Sequence, residues 1–374
     1  VKAGIHGSNK RRGKQWGRNF MLGIQFFICW VFVALTVGLF LQSEKTTQTL
    51  FHTLTQKEKA EIISIPLDYP FMKNKEKLEM VERFKQHAGV KDILLADVAY
   101  MGGVSGNLLM TEKGNENSWV EIEILSVPQH FFSFMNIPIR QGRTIQTKQD
   151  MVLDEAYTNR QKKDVIGMNF YDRHTDYTVC GICAPFQANV YYDNGGYAFQ
   201  LYDPSDYVGH CYVKCYPGQQ KEVVKWIERI RCEVLPENIP YQVKTFLDDI
   251  HEVQAIEYIM KDIILFFAVV SIIITLLGVY SSITLDTERR QKEVAIRKVN
   301  GAGTRQIIWL FVRLYISLLV ITAAIAFPLV YIVLQLWKQM YTVFFDYGVC
   351  YWAGIFIFVF LITVLTIWFR IFNI

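Results

Sequence analysis

Cysteine has the widest chemical reach of any residue type in this sequence, and five of its seven copies fall in one polar stretch. Cys180-Gly-Ile-Cys183 and Cys211-Tyr-Val-Lys-Cys215 have the outline of two halves of a metal site, with Cys232 following. The first pair sits in an apparent strand, where an odd separation sends side chains to opposite faces. An odd number of cysteines also forbids complete pairing. Disulfides among Cys180, Cys183, Cys211, Cys215 and Cys232, a metal site, and free buried thiols all stay open, and no metal ligand set is assigned. Cys29 and Cys350 lie in apolar runs and read as packing residues. His251-Glu252 begins like a zinc-protease motif, but Ala255 stands where the second histidine is needed. Gly102, Gly103 and Gly106 form a loose cluster with no helix or lysine behind it, so they read as a turn. The sequence holds no G-x-x-x-x-G-K-S/T string and therefore no ATP-binding loop of that kind. No nucleophile stands beside a base in a recognisable pattern, so no catalytic residue is assigned and an enzyme is not expected.

A second kind of chemistry lies in the loop from Glu288 to Ala302, a dense run of charge between two apolar segments. Thr287 to Val299 favours helix, and Gly301 and Gly303 suit its end. Val294, Ile296 and Val299 make a small apolar stripe, ringed by Arg289, Arg290, Lys292, Arg297 and Lys298. Glu293 and Arg297 are spaced i,i+4 and would brace the helix. An apolar ridge with a charged rim suits a groove on a soluble partner. The same residues would also suit a loop lying on anionic lipid.

The elements that must position this loop follow from composition. Apolar residues make up 51% of the 374 residues and charged residues only 20%. The apolar excess is concentrated in four windows, 20–41, 259–285, 307–334 and 349–369. Each is long enough for a hydrocarbon core of about 30 Å, which takes roughly 20 helical residues. A 1–19 basic lead-in carries Lys2, Lys10, Arg11, Arg12, Lys14 and Arg18. The 286–306 loop carries Arg289, Arg290, Lys292, Arg297, Lys298 and Arg305, while 335–348 has only Lys338. Positive residues favour the cytoplasmic side, so the N-terminus and the 286–306 loop are expected in the cytoplasm, and 42–258 and 335–348 outside. The net charge of +4 follows this bias and does not suggest nucleic acid.

The expected fold is a membrane protein with four transmembrane α-helices, one plus three. A large α+β extracytoplasmic domain is inserted between the first two spans on a two-helix stalk. The stalk is read at 42–60 and 245–258, where Phe246, Ile250, Val253, Ile256, Ile259 and Met260 form one helical face. Within the domain, Ile62 to Ile65, Ile93 to Ala99, Trp119 to Ser126, Met151 to Leu153, Thr178 to Ile182 and Tyr212 to Cys215 read as strands. Leu78 to Gln86 reads as a helix. So does Gln220 to Arg231, with Val223, Val224, Ile227 and Ile230 inward. Among polar residues in the spans, Gln25, Ser271, Thr275, Ser317 and Thr322 are expected to join helices by hydrogen bonds, and Pro328 to set a kink.

Several strings resemble the FtsX/MacB-type permeases of ABC transporters. Asn19 to Gln25 (NFMLGIQ) looks like the start of that family's first span. Phe131 to Arg143 is similar to its "FF..FGI.LL.GR" segment. Leu153 to Ala156 and Val165 to Met168 resemble its "VNEA" and "PIGK" pair, with Met168 in place of the usual Lys. Tyr177 to Ile182 resembles "YTVVGV". Glu293 to Ala302 resembles "EIGIRKALGA", with Asn300 in place of Leu or Ile. The resemblance spans nearly the whole chain, and the loop string is its most specific part. It implies the permease subunit of a type VII, MacB-like transporter in a bacterial inner membrane. There, mechanotransmission carries ATPase-driven motion to the outer domain, for export of a peptide, lipoprotein or antimicrobial. The ATPase-coupling residues would be Glu288, Arg289, Arg290, Glu293, Val294, Ile296, Arg297, Lys298, Val299 and Gly301. The implied partners are an ABC ATPase carrying ATP and Mg, a second permease half or identical protomer, the lipid bilayer, and an outer substrate or protein. This chain itself would bind no cofactor. The basic start without Met resembles the junction inside eight-span, Bacteroidetes-type relatives, as if this were the C-terminal four-span half. The alternative is a membrane-anchored peptide sensor or scaffold without transport.

Overall fold

The computed structural model describes residues 3–101, 106–161, 165–172, 175–190, 196–236, 243–289, 296 and 304–372. In chain order the first elements are α1 (Ala3–Thr49), α2 (Gln56–Glu61), β1 (Ile62–Pro66), α3 (Asn74–Lys85), β2 (Val90–Ala96), β3 (Gly106–Met110) and β4 (Trp119–Val127). Then come α4 (Phe131–Phe134), β5 (Ile139–Gly142), β6 (Asp150–Asp154), α5 (Glu155–Gln161), β7 (Asn169–Tyr171), β8 (Asp176–Cys183), β9 (Tyr197–Leu201) and β10 (His210–Cys215). The chain continues through α6 (Gln220–Val234), β11 (Lys244–Thr245), α7 (Phe246–Val253), α8 (Ala255–Arg289), α9 (Thr304–Lys338) and α10 (Val349–Phe372). The chain divides into two units, one of Val1–Glu44, Ile256–Met340 and Phe344–Ile374, the other of Lys45–Ala255 and Tyr341–Val343.

The first unit is helical. Among the described residues, four helices are long and apolar enough to cross a membrane: Trp16–Thr49, Ala255–Glu288, Val312–Lys338 and Val349–Arg370. The first is the inner helix, because 44% of its apolar window is buried against 22–28% for the others. Leu22, Phe26, Trp30 and Val33 of α1 pack with Tyr315, Leu319 and Ala326 of α9 and with Ile355 and Val359 of α10. Trp30 meets Phe327 edge-on at 5.2 Å and stacks on Phe356 at 5.6 Å. Phe266, Leu277, Ile325, Leu336 and Leu365 are exposed on the other helices. In water such surfaces would cost solubility, whereas lipid accepts them.

The second unit is α+β, built on two sheets. The smaller is antiparallel, in the order β11-β1-β10-β2. Alternation along β1 and β10 sends Ile63, Ile65, Cys211, Val213 and Cys215 to one face, packed on α3 and α6. Ile62 and Tyr212 go to the other face, with Phe246 and Ile250 of α7. The larger sheet has the order β5-β8-β6-β9-β4-β3-β7 and is mixed, with β4–β9 and β6–β8 parallel. Within this unit the Tyr341–Val343 segment is tied to the loop before β9: Thr342 N donates to Val190 O at 2.9 Å, and Gln187 Nε2 donates to Thr342 Oγ1 at 3.0 Å.

Neither expected stalk segment is one helix. α1 stops at Thr49, Phe51 takes a left-handed φ of 47°, and Thr55 caps α2 by a capping box with Glu58. Lys59, wholly buried, folds back and donates from Nζ to Thr47 O at 3.1 Å and Leu50 O at 2.6 Å. It thereby satisfies carbonyls orphaned by the end of α1. On the other side, Gln254 leaves helical geometry (φ −90°, ψ 8°) and separates α7 from α8. The break resets the helical period, so Phe246 and Ile250 are buried while Ile256 and Ile259 are 73% and 60% exposed.

The opposite-face expectation for Cys180 and Cys183 is also corrected. The β6–β8 register shifts between Met151 and Val152, leaving Cys180 as the extra residue of a bulge. Both cysteines consequently turn to the same core cluster. All seven cysteines are nonetheless free thiols. Burial pushes the Cys183 and Cys211 thiols up from their ordinary value, which keeps them protonated and poor ligands. No group of three or more His, Cys, Asp or Glu placed to hold a metal occurs among the described residues.

Candidate functional site at the end of the second span

The loop singled out by sequence falls mostly outside the described residues: Arg290, Glu293, Val294, Arg297, Lys298, Val299 and Gly301 all do. Ile296 is described and is helical and 63% exposed, Glu288 is exposed on the last turn of α8, and Arg289 closes that helix. The structure does describe the root from which the loop leaves, the last turns of α8.

Asp286 is the one acid between Asp262 and Glu288 in the sequence, and it is 5% exposed. It accepts from Arg18 Nη2 of α1 and, at 3.2 Å, from Tyr315 Oη of α9. Arg18 Nε and Nη1 are buried without a hydrogen-bond partner among the described residues, so Asp286 is the group that answers this charge. Two residues earlier, Thr284 Oγ1 accepts from Arg370 Nε of α10 at 2.9 Å, and the same guanidinium lies 5.0 Å from the Tyr280 ring centre. The root of the loop is therefore gripped by a polar contact from each of the other three spans. A buried ion pair is a weak source of stability but a strong one of geometry, since either partner alone is costly.

Deeper along α8 the contact with α1 becomes a close approach. A Cβ on Gly278 would lie 2.1 Å from Gln25 Oε1 and 3.2 Å from Leu22, so glycine is what lets the two helices meet there. Thr275 Oγ1 donates to Gln25 O at 3.2 Å and Ser271 O at 2.7 Å. Trp30 Nε1 donates to Thr322 Oγ1 at 3.3 Å, joining α1 to α9, and Tyr351 Oη donates to Ala34 O at 2.6 Å, joining α10 to α1. Of the polar residues expected to join helices, Thr275 and Thr322 do so by their side chains, whereas Gln25 takes part only through its backbone carbonyl, its side-chain Oε1 being buried without a hydrogen-bond partner among the described residues. The hydroxyls of Ser271 and Ser317 donate within their own helices.

Arg18 had counted in the sequence only towards membrane orientation, and Asp286, Tyr315 and the Arg370–Thr284 contact were missed. The available signal was a lone acid at the end of an apolar helix, which demands a partner. Nothing in the spacing says that the partner lies 268 residues away.

Residues 265–374 match the family model described as FtsX-like permease C-terminal. A search of curated proteins finds no match. Among solved structures, the periplasmic region of MacB from Actinobacillus actinomycetemcomitans is similar at 12% identity and a TM-score of 0.38, over 55% of this chain and 98% of that one. The extracellular domain of the noncanonic ABC-type transporter YknZ from Gram-positive bacteria is similar at 14% identity and 0.35, over 50% and 99%. A permease-protein domain from Porphyromonas gingivalis is similar at 12% identity and 0.33, over 45% and 78%. With four candidate spans, an α+β domain between the first and second, and that family match over the last three, the chain carries an FtsX-like permease C-terminal domain.

Proposed function

We propose that this chain is the membrane-spanning subunit of a MacB-like ABC transporter, passing motion from a separate ATPase to the domain between its first two spans. The observation that carries this is the grip on the root of α8 by Arg18, Tyr315 and Arg370. A push on the 286–306 loop would then reach α1, α9 and α10 together instead of bending one helix. α1 continues unbroken from Ala3 to Thr49, past the division at Glu44, which supports transfer of that motion beyond the spans. On this reading the basic N-terminal lead-in and the loop face the cytoplasm of a bacterial inner membrane. ATP and Mg bind the partner chain. The permease pairs with a second copy or half, and the inserted domain acts outside on a peptide, lipoprotein or antimicrobial.

Affinity purification from native membranes tests the class: an ATPase and a second permease half should co-purify, and a lone chain would favour the sensor or scaffold instead. Within such a complex, Val294→Asp and Gly301→Val should abolish permease-dependent stimulation of the ATPase. Normal co-purification and stimulation in both variants would refute the assignment of the loop.

A further inference from the structure

Within the helical unit, a groove of about 350 Å³ runs between α1 and α9. Trp16, Phe20, Gly23 and Phe27 of α1 line it, with Ile321 and Ile325 of α9 opposite. From Trp16 to Phe27 the helix rises about 16 Å. That is about half of a 30 Å hydrocarbon core, the depth of one leaflet. Spread over this length, the volume makes a groove about 5 Å across, roughly half the width of a helix with its side chains. One alkyl chain fits it, and a second span does not. Beyond Phe27 the fully buried Trp30 closes the groove by donating to Thr322.

Bulk lipid coats any exposed span, but three features set this groove apart. Gly23 is not demanded by helix packing. A Cβ there would meet Thr322 Cγ2 at an ordinary 3.8 Å, whereas at Gly278 it would lie 2.1 Å from Gln25 Oε1. Alanine at 23 would fit and would favour the helix, so what glycine supplies is an open floor. Asn19 also lines the groove, and its Oδ1 is buried without a hydrogen-bond partner among the described residues. Such an amide calls for a partner from outside the chain. Trp16, 73% exposed, stacks on Phe20 at 5.8 Å, and tryptophan favours the membrane–water interface. One turn before Trp16 in α1 stands Arg12. By backbone register it falls within about 40° of Trp16, while Lys14 and Arg18 fall about 160° away. Arg18 is held on that other side by Asp286.

We propose that this groove is a site for one anionic phospholipid, with an acyl chain along Phe20 to Phe27, its ester group at the Asn19 amide and its phosphate at Arg12. Arginine pairs with phosphate bidentately, and net negative charge on the headgroup adds to the attraction. The leaflet is the cytoplasmic one if the orientation proposed above holds. The site itself stands on the helical unit alone.

The test is native mass spectrometry of the full-length chain in mild detergent, titrated with phosphatidylglycerol or phosphatidylcholine of identical chains. Wild type should retain one phosphatidylglycerol in preference to phosphatidylcholine. Arg12→Gln should lower that preference about fivefold, the worth of one arginine near an anionic surface, and Lys14→Gln should leave it unchanged. Gly23→Leu fills the groove and should remove the retained lipid whatever its headgroup. Should that variant fail to fold, Ile321→Trp fills the groove from α9. Equal retention of the two lipids by wild type would overturn the site, as would a retained phosphatidylglycerol in the filled variants. Equal losses in Arg12→Gln and Lys14→Gln would show diffuse charge and overturn it too. A dimer lost in Gly23→Leu with lipid retention unchanged would give the groove to a second copy instead. No ATPase enters the measurement, so its failure would leave the transport reading untouched.

Discussion

Removing Asp286 gives the sharpest check on the grip around α8. In Asp286→Leu the Arg18 guanidinium loses its carboxylate while its Nε and Nη1 stay buried without a partner, and Tyr315 Oη loses its acceptor. Breaking a buried pair costs about 3–5 kcal/mol. Arg18 stands near the end of its apolar stretch and can reach towards the interface, which places the cost near the lower limit, about 3 kcal/mol. Arg18→Met should cost a similar amount by stranding the carboxylate. The pair Arg18→Met with Asp286→Leu removes both charges and should cost less than either change alone, about 1 kcal/mol. Thermal unfolding of the full chain in detergent, followed by tryptophan fluorescence, reads these differences. At roughly 2–4 °C per kcal/mol for a domain of this size, the single variants should fall by about 6–12 °C and the double variant by only a few. A double variant that loses the sum of the two single losses would show that Arg18 and Asp286 do not act on each other, and the grip would fail with it.

Other expectations follow from the second unit. Lys59 is held at about 8, below its ordinary 10.5, by burial. The protein therefore carries a penalty below pH 8 that is relieved as pH rises towards 10.5. Lys59→Met should remove this alkaline gain of about 3 kcal/mol, as measured by denaturant unfolding at pH 7 and 10. The Asp150 carboxylate accepts from Arg143 Nη1 at 2.7 Å and Nη2 at 2.6 Å, and from the backbone of Gln146 and Thr147. These bonds hold it well below the usual carboxylate range, so its stabilisation is present above pH 3.8 and fades only in strong acid. Asp150→Asn should lose about 2–3 kcal/mol at pH 7, and an unchanged denaturation midpoint would disprove that role. Gly142 has φ +73°, and a Cβ there would lie 2.3 Å from Cys180 O. Gly142→Ala should therefore destabilise the turn by more than about 1 kcal/mol, readable as faster exchange of the Arg143 amide, which donates to Cys180 O.

The last two sites show why the "GR" of the motif-like segment could be noticed in sequence but not understood there. Gly142 and Arg143 stand next to each other in the chain, yet what requires them is a β8 backbone and an Asp150 carboxylate brought in by folding. The strands with strong alternation, such as Trp119–Val127, were legible, and so was the α6 face of Val223, Ile227 and Ile230. β3, β5, β7 and β9 were not, because three to five residues carry too little periodicity and their partners are distant. The continuous stalk failed for a related reason. Helix-favouring composition says nothing about Gln254 or Phe51, whose backbone is set by tertiary contacts such as Phe51 N to Gln187 O at 2.9 Å.

By itself the sequence determined four spans, their one-plus-three division around an α+β domain, and a charged loop with family-like wording. Hydropathy and local propensity act over neighbouring residues, so a linear reading is enough for them. Only the tertiary structure decided which charges meet. It brought Arg18 and Tyr315 together on Asp286, folded Lys59 back onto α1, and set Ser64 against His210. Polar groups withdrawn from water must find partners wherever the packed chain places them, and that placement is a property of the whole fold.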